Sequence, residues 1–378
     1  MPKLLMITTV ATMIRTFLLP FARHYRALGW QVDAAADSIL ALKEIHAEFD
    51  ACHDLVLSRN PTDIQVLINA PAMIRQIVLS GHYDIVHVHS PVAAFLVRFA
   101  LRNLANKPKV IYTAHGFHFH RYGHPLSNFI FKSLEKIAAP WCDVLITINQ
   151  EDYQAAIKNK FNTHVEYMQG IGVDTDLYNR QSITQEQINV VRASLNLKPT
   201  DILFLMIAEF NIGKRHRDIL QALILTQPNI HVAFAGIGKL QEQIKQQANN
   251  LGLAERVHFL GFRRDIPLLI SSSRAVLLPS EREGLPRSLL EAMSLSVPII
   301  ASDIRGITEL ASNDCGLLHQ VANIQQISAA LTKLAENESL AQEMGKNAKN
   351  KIINYDISQI IKKHDELYSS LLTKERHT

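Results

Sequence analysis

The sequence predicts an α/β protein built from two doubly wound, parallel-sheet domains. Strand-like apolar runs alternate with helix-period segments along most of the chain, the alternation pauses near residue 170, and it restarts near residue 200. The 378 residues exceed one ordinary core but suit two domains of roughly 150–190 residues each.

The elements follow in order. KLLMITTV (3–10) is a continuous apolar run of the kind a strand buried on both faces needs, and TFLLPFARHYRALG (16–29) repeats its apolar residues at helical spacing. QVDAAA (31–36), a helix near 71–80, DIVHVHS (84–90), AAFLVRFALRNLA (93–105), KVIYTAHG (109–116), a helix through Leu134, DVLITIN (143–149) and VEYMQ (165–169) continue the pattern. The stretch GIGVDTDLYN and the polar residues after it form a break. DILFLMIAEF (201–210), a helix around 215–227, HVAFAGIG (231–238), a helix from 239, RVHFLGF (256–262), AVLLPS (275–280), a helix through Met293 and VPIIAS (297–302) then restart the alternation. The expected division is an N-terminal domain over 1–170, a linker over 171–185 and a C-terminal domain over 186–355. The amphipathic segment 356–378 is expected to pack back on the first domain. Doubly wound sheets bind ligands beyond the carboxyl ends of their strands, so a cleft between two such domains is the expected site.

Composition narrows the function classes. With 47% hydrophobic and 20% charged residues the chain reads as folded and soluble. Its three cysteines have no metal-ligand or disulfide-framework spacing, which suits a reducing compartment. No run approaches the ~18 apolar residues of a membrane span, and the N-terminus lacks a signal-peptide cleavage site and reads as a first strand. His87 and His89, and His118 and His120, sit two apart, as metal ligands on a strand could, but read better as packed, orienting or substrate-facing residues.

From Ala93 to Lys136, Arg98, Arg102, Lys107, Lys109, Arg121, Lys132 and Lys136 oppose Glu135 alone, 7 − 1 = +6, interleaved with aromatics including Tyr122. Such a segment suits an anionic surface, or equally a solvated helix face with its aromatics in the core. The rest of the chain carries no basic stripe, so nucleic acid is not an expected partner.

The densest motif is EREGLPRSLLEAMSLSVPIIAS at 281–302, with Glu283 and Glu291 eight positions apart. A helix starting after Pro286 would present free N–H groups and a positive dipole end to an anion, and eight residues of helix span ~12 Å, a nucleotide sugar's reach. With DIVHVHSP, TAHGF, GIGVDTDLY, AEFNIGKRH, FAGIG, FLGFRRD and VPIIASD in this order, the chain resembles the metal-independent, retaining family-four glycosyltransferases of the GT-B fold. Within that family it resembles bacterial capsular and exopolysaccharide enzymes that act on polyprenyl-diphosphate-linked sugars.

The resemblance implies roles residue by residue. Glu283 would bind hydroxyls of the transferred sugar, Glu291 the ribose, and the backbone of Leu285, Pro286, Arg287, Ser288 and Leu289 would lie near the diphosphate. Lys214 would neutralise the leaving diphosphate, and His115 would contact the transferred sugar near its reacting carbon. The family's usual arginine a few residues before this lysine is missing: Ala208, Glu209 and Phe210 stand there, so Arg215 or Arg15 would supply a second charge, or Lys214 would act alone. The first loop, 8–15, also lacks the glycine-rich turn of many relatives. Asp174 and Asp176 look like a metal-binding DxD pair but fall in the linker, where a turn is expected, and Gly236 and Gly238 lack the third glycine of a dinucleotide fingerprint.

The expected reaction is transfer of a sugar from a nucleotide-diphosphate sugar, by frequency a UDP-sugar, to a lipid-linked saccharide, with neither metal nor organic cofactor. The expected location is the cytoplasm, peripherally on the inner face of an anionic membrane. A nucleotide-sugar epimerase of the same fold and a non-catalytic nucleotide-sugar-binding subunit are the alternatives.

Overall fold

Strands sandwiched between helices must be apolar on both faces. The computed structural model, which describes residues 1–58, 63–121, 123–311 and 314–373, places such runs at the centre of two sheets. Tyr122 of the basic segment lies outside the described residues. The chain divides into two compact units, Met1–Ile171 with the final helix Ile357–Thr373, and Gly172–Asp356.

The first unit holds β1 (Lys3–Val10), β2 (Gln31–Asp37), β3 (Ala51–Asp54), β4 (Ile85–His89), β5 (Lys109–Ala114), β6 (Val144–Thr147) and β7 (His164–Tyr167). They form one parallel sheet in the order β3-β2-β1-β4-β5-β6-β7. One face packs on helices Ile64–Gly81 and Pro91–Leu101 through Ala70, Ile74, Val97 and Leu101. The other packs on Leu19–Ala27 and the final helix through Phe21, Tyr25, Ile360 and Tyr368.

The second unit holds β8 (Ile202–Ile207), β9 (Ile230–Ala235), β10 (Val257–Gly261), β11 (Val276–Leu278), β12 (Ile299–Ser302) and β13 (Gly316–His319), again parallel, in the order β10-β9-β8-β11-β12-β13. In both sheets the direction of winding reverses beside the first strand, between β1 and β4 and between β8 and β11. These are the switch points at which such folds bind ligands. Residues 172–185, expected to be a linker, belong to the second unit. Val173 N donates to Tyr355 O at 2.9 Å, and Ser294 Oγ to Tyr178 O at 2.8 Å.

Three expectations need correction. The helix expected near 71–80 begins at Ile64, capped by the Asp63 side chain, and carries Pro71 in its interior. That helix, Ile64–Gly81, is long and apolar enough to cross a membrane, contrary to the reading that no such run exists. Its Val66, Ala70, Ile74 and Val78 side nonetheless packs into the first unit's core. The +6 segment is also not one basic face. Arg98 is fully buried, with Nη2 2.8 Å from Glu135 Oε2 and its guanidinium over the Tyr112 ring, and Lys107 faces Asp143 at 3.8 Å. A buried guanidinium needs a partner, and Glu135, 37 residues away in sequence, provides it.

Candidate active site

In the second unit the loops after β8 and β11 meet across the switch point. After β11 the chain runs through Ser280 and Gly284 to Pro286, which caps helix Arg287–Ser294 with extended backbone. The first N–H groups of a helix have no intrahelical acceptor, so this loop ends on an anion-favouring helix start. After β8, the Asn211 side chain accepts from Lys214 N at 3.2 Å and shapes a short turn. The two loops are tied by Glu281 N donating to Gly213 O at 2.9 Å. That tie brings Lys214 Nζ to 2.5 Å from Glu283 Oε1, two half-buried charges drawn from opposite sides of the switch point.

Arg215 is committed elsewhere. Held in the left-handed region at φ 56°, it places Nε 2.5 Å from Asp218 Oδ2 and Nη1 2.5 Å from Glu281 Oε1, and so acts as a strut between the two loops. Arg15 lies in the first unit, at the surface, 3.0 Å from Glu44. Sequence reading missed the cations that do gather here, Arg282 and Arg305. Arg305, buried, donates from Nε to Glu283 O at 3.3 Å. The Arg282 guanidinium is lowered by desolvation and by repulsion from Arg305, with Glu283 opposing, while its side chain still reaches solvent. Glu209, whose charge would repel a diphosphate in contact with it, accepts from Asn211 Nδ2 at 3.2 Å.

Gly306, in the loop after β12, is packed against the same segment. At φ 73° it lies so close that a Cβ there would sit 1.7 Å from Gly284 O. The GIG segment is packed just as closely, since Cβ atoms at Gly236 and Gly238 would meet the carbonyl oxygens of Ala208 and Phe210 at 2.0 and 2.5 Å. These glycines press the β9 end against the β8 end and are packing residues, not a dinucleotide fingerprint.

Glu291 lies one helix turn beyond Arg287, whose Nε donates to its Oε1 at 2.8 Å. Burial raises the Glu291 carboxyl, opposed by Arg287 and by a hydrogen bond from Tyr178. Leu285, Ser288 and Leu289 occupy the loop and first helical turn as the motif implies, with Leu289 in the core. Elsewhere in this unit the Ser280 and Ser302 hydroxyls and the His216 and His319 Nε2 atoms are buried with no partner among the described residues.

In the first unit His115 follows β5 and precedes Gly116, which turns the chain at φ 120°. His115 Nε2 is 3.0 Å from His89 Nδ1, and His89 stacks on His87 at 4.2 Å. His87 is in turn held by Thr113 Oγ1 at 2.7 Å and Tyr368 OH at 2.5 Å. Desolvation lowers His115 to about 4 and holds His87 and His89 well below the usual imidazole value, the latter two helped by neighbouring histidines. The three rings are therefore neutral near pH 7, and a neutral pair must share one donor and one acceptor. His89 and His115 therefore carry complementary tautomers, one ring donating and the other accepting.

Asp174 Oδ1 accepts from Asp176 N at 3.1 Å and Leu177 N at 2.9 Å, the signature of an Asx turn. Among the described residues no group of three His, Cys, Asp or Glu side chains is arranged to hold a metal ion.

Known proteins match the chain along both units. A family model for glycosyl transferases group 1 matches residues 187–351, and one for Glycosyltransferase Family 4 matches residues 14–176. The chain is 29% identical over 384 residues to the putative glycosyltransferase EpsD of Bacillus subtilis, covering 99% of each. It is 29% identical over 301 residues to the Escherichia coli UDP-Gal:alpha-D-GlcNAc-diphosphoundecaprenol alpha-1,3-galactosyltransferase, covering 78% of this chain and 77% of that one. Among solved structures, Anabaena Alr3699/HepE in complex with UDP and glucose superposes with a TM-score of 0.81 at 20% identity, covering 98% of this chain and 100% of that one.

Proposed function

This chain belongs to the glycosyltransferases, its first half to family 4 and its second to group 1, and on that premise we propose that it is a retaining, metal-independent enzyme. It moves a sugar from a UDP-sugar to a polyprenyl-diphosphate-linked saccharide. The observation that carries the reading is the Lys214–Glu283 pair at the switch point, beside a helix start and two further arginines. A cation-rich strand end of this kind suits a sugar diphosphate: Lys214, Arg282 and Arg305 hold the phosphates and Glu283 the sugar hydroxyls.

In the reaction the bond from the anomeric carbon to the diphosphate oxygen breaks, and its electron pair leaves with the nucleoside diphosphate. The acceptor hydroxyl attacks from the same face and passes its proton to the departing oxygen, so configuration is kept. The protein positions the partners and stabilises the developing negative charge. Lys214 supplies a point charge to the leaving group, while neutral His115, in hydrogen-bond contact with His89, hydrogen-bonds the transferred sugar without adding a competing charge.

The lipid-linked acceptor is supported by the Escherichia coli relative, a galactosyltransferase acting on a diphosphoundecaprenol-linked sugar. It is also supported by the surface of the first unit. Helix Pro125–Ala138 exposes Leu126, Phe129, Ile130 and Ile137 beside Lys132 and Lys136, and helix Ile64–Gly81 exposes Ile64, Ile68 and Leu79. Apolar side chains next to cations fit the inner face of an anionic membrane, where the enzyme would meet its carrier. The test is transfer from a panel of nucleotide sugars to lipid extract in EDTA, with the anomeric configuration of the product read by NMR. Activity from a UDP-sugar with retained configuration is expected; inversion, or activity restored only by Mn²⁺ or Mg²⁺, refutes the reading. Epimerised donor formed without acceptor would favour the epimerase alternative.

A further inference from the structure

The opposite end of the second sheet carries a cavity that the transfer reaction does not use. Where β8, β11 and β12 begin, their amino ends open into a cavity of about 660 Å³. It is walled by Arg180, Arg192 and Arg274, which come from three separate segments of the unit, and by Ser271, Asp201 and Glu338. Pro298, just before β12, also lines it, whereas Lys214 and Glu283 follow the carboxyl ends of β8 and β11.

The arginines are oriented but poorly neutralised. Arg180 Nη1 donates to Ser271 O at 3.0 Å, and Arg192 Nη2 to Lys198 O at 2.8 Å and Asp201 O at 2.9 Å. Carbonyl oxygens fix a guanidinium without cancelling its charge. Arg274 Nη2 lies 3.4 Å from Glu338 Oε2, on a carboxylate that is 67% exposed and so screened by water. Arg274 Nη1 and Ser271 Oγ are buried with no partner among the described residues, and Ser271 as a whole is only 7% exposed. Three arginines against Asp201 and Glu338 leave 3 − 2 = +1 on the walls. Desolvation lowers the Arg180 guanidinium, a cost that a bound anion would offset.

A guanidinium with one nitrogen unpaired, beside an unpaired serine hydroxyl, is a donor set that phosphate oxygens accept from. The cavity exceeds what a bare ion fills and falls in the range of roughly 300–1,000 Å³ typical of small-molecule sites. Asp201 and Glu338 add acceptors that suit hydroxyl groups. We propose that this cavity is a second ligand site that takes a hydroxylated phosphate monoester, such as a sugar phosphate, with the phosphate on Arg274 and Ser271.

Calorimetry on the full chain tests it, with glucose 6-phosphate and glycerol 3-phosphate as probes and inorganic phosphate and glucose as separate arms. One ester site per chain is expected. Arg274→Gln and Arg180→Gln should each weaken it about tenfold or more, and Ser271→Ala, which perturbs the fold least, by a smaller factor. Lys214→Ala, at the other end of the sheet, should leave it unchanged. Neither ester binding, inorganic phosphate binding as tightly as the esters, or loss on Lys214→Ala with Arg274→Gln and Ser271→Ala unaffected would each overturn the proposal. Thermal melts of each variant separate misfolding from a lost contact.

Discussion

Lys214 Nζ sits 2.5 Å from Glu283 Oε1, and each belongs to a loop leaving a different strand across the switch point of the second sheet. The contact spans 69 residues of sequence. It is held by the Glu281 N to Gly213 O hydrogen bond and by Arg215, which grips Asp218 and Glu281 together. Two roles are thus divided between adjacent cations. Lys214 pairs with Glu283, and Arg215 braces the loops that carry both.

That division predicts different phenotypes. Lys214→Ala should lower turnover with little change in melting temperature. Arg215→Ala leaves the buried Asp218 carboxylate without its close partner, which costs about 3 kcal/mol or more when such a pair is broken. Thermal melts and initial rates on both variants check this. Equal loss of stability in both would mean that Lys214 is also a strut.

The two glutamates should separate by the step they affect. Glu283→Gln should lower turnover while nucleoside diphosphate binds nearly as before, because Glu283 is assigned to the sugar. Glu291→Ala should weaken the nucleotide itself, by about 1.5–3 kcal/mol or roughly ten- to a hundredfold for a lost charge-assisted hydrogen bond. Calorimetry with nucleoside diphosphate decides; the reverse pattern would mean the donor lies the other way round.

Gly306 is a tight position. Gly306→Ala places a Cβ 1.7 Å from Gly284 O in a left-handed conformation, so the loop bearing Glu283 must shift. A melting point lowered by the equivalent of about 1–3 kcal/mol and weakened donor binding are expected. Gly29→Ala is the control, since at φ 82° a Cβ there meets nothing within 4 Å. If both substitutions cost the same, the close approach at Gly306 does not matter.

Much of this is legible in the sequence because it is local. The helix start after Pro286 and the spacing of Glu283 and Glu291 follow from one continuous segment, as does the strand and helix alternation. The second cation is not legible, because Arg305 reaches the loop from beyond β12, a placement set only by sheet order. Arg98 misleads for the same reason: its composition reads as surface charge, while Glu135 makes it a core pair. The helix expected near 71–80 starts earlier, at Ile64, where the Asp63 side chain caps it. His89 can be placed at a strand end from the sequence; only pairing of β4 with β5 brings it to His115.

The buried histidines predict an acid-sensitive fold. His115, His216 and His364 are each lowered to about 4, chiefly by desolvation. Their folded values lie below the unfolded value of about 6.5, so the unfolded chain binds protons first. Their contribution is full above about pH 6.5 and is lost as the pH falls towards 4, at up to about 1.4 kcal/mol per pH unit for each histidine. Urea unfolding between pH 7.5 and 5 should show the decline, and His364→Phe should reduce its slope. A flat profile would mean that these rings are hydrated in solution.

The final prediction concerns the membrane. Substituting Arg98 would not test surface binding, because it removes one partner of a buried pair and should unfold the first unit. The informative residues lie on helix Pro125–Ala138, where Phe129 is 65% and Leu126 62% exposed beside Lys132 and Lys136. Burying such side chains at a lipid interface yields roughly 1.5–3 kcal/mol each, and a cation near an anionic surface about 1 kcal/mol. Phe129→Ser with Leu126→Ser should therefore weaken co-sedimentation with both neutral and anionic liposomes. Lys132→Glu with Lys136→Glu should abolish only the anionic preference and its salt sensitivity. All four positions reach solvent, so melting temperature should hold. Unchanged sedimentation in both pairs, with full activity on a lipid-linked acceptor, would move the docking surface elsewhere, and helix Ile64–Gly81, with Ile64 and Ile68 each 69% exposed, would be the next to vary.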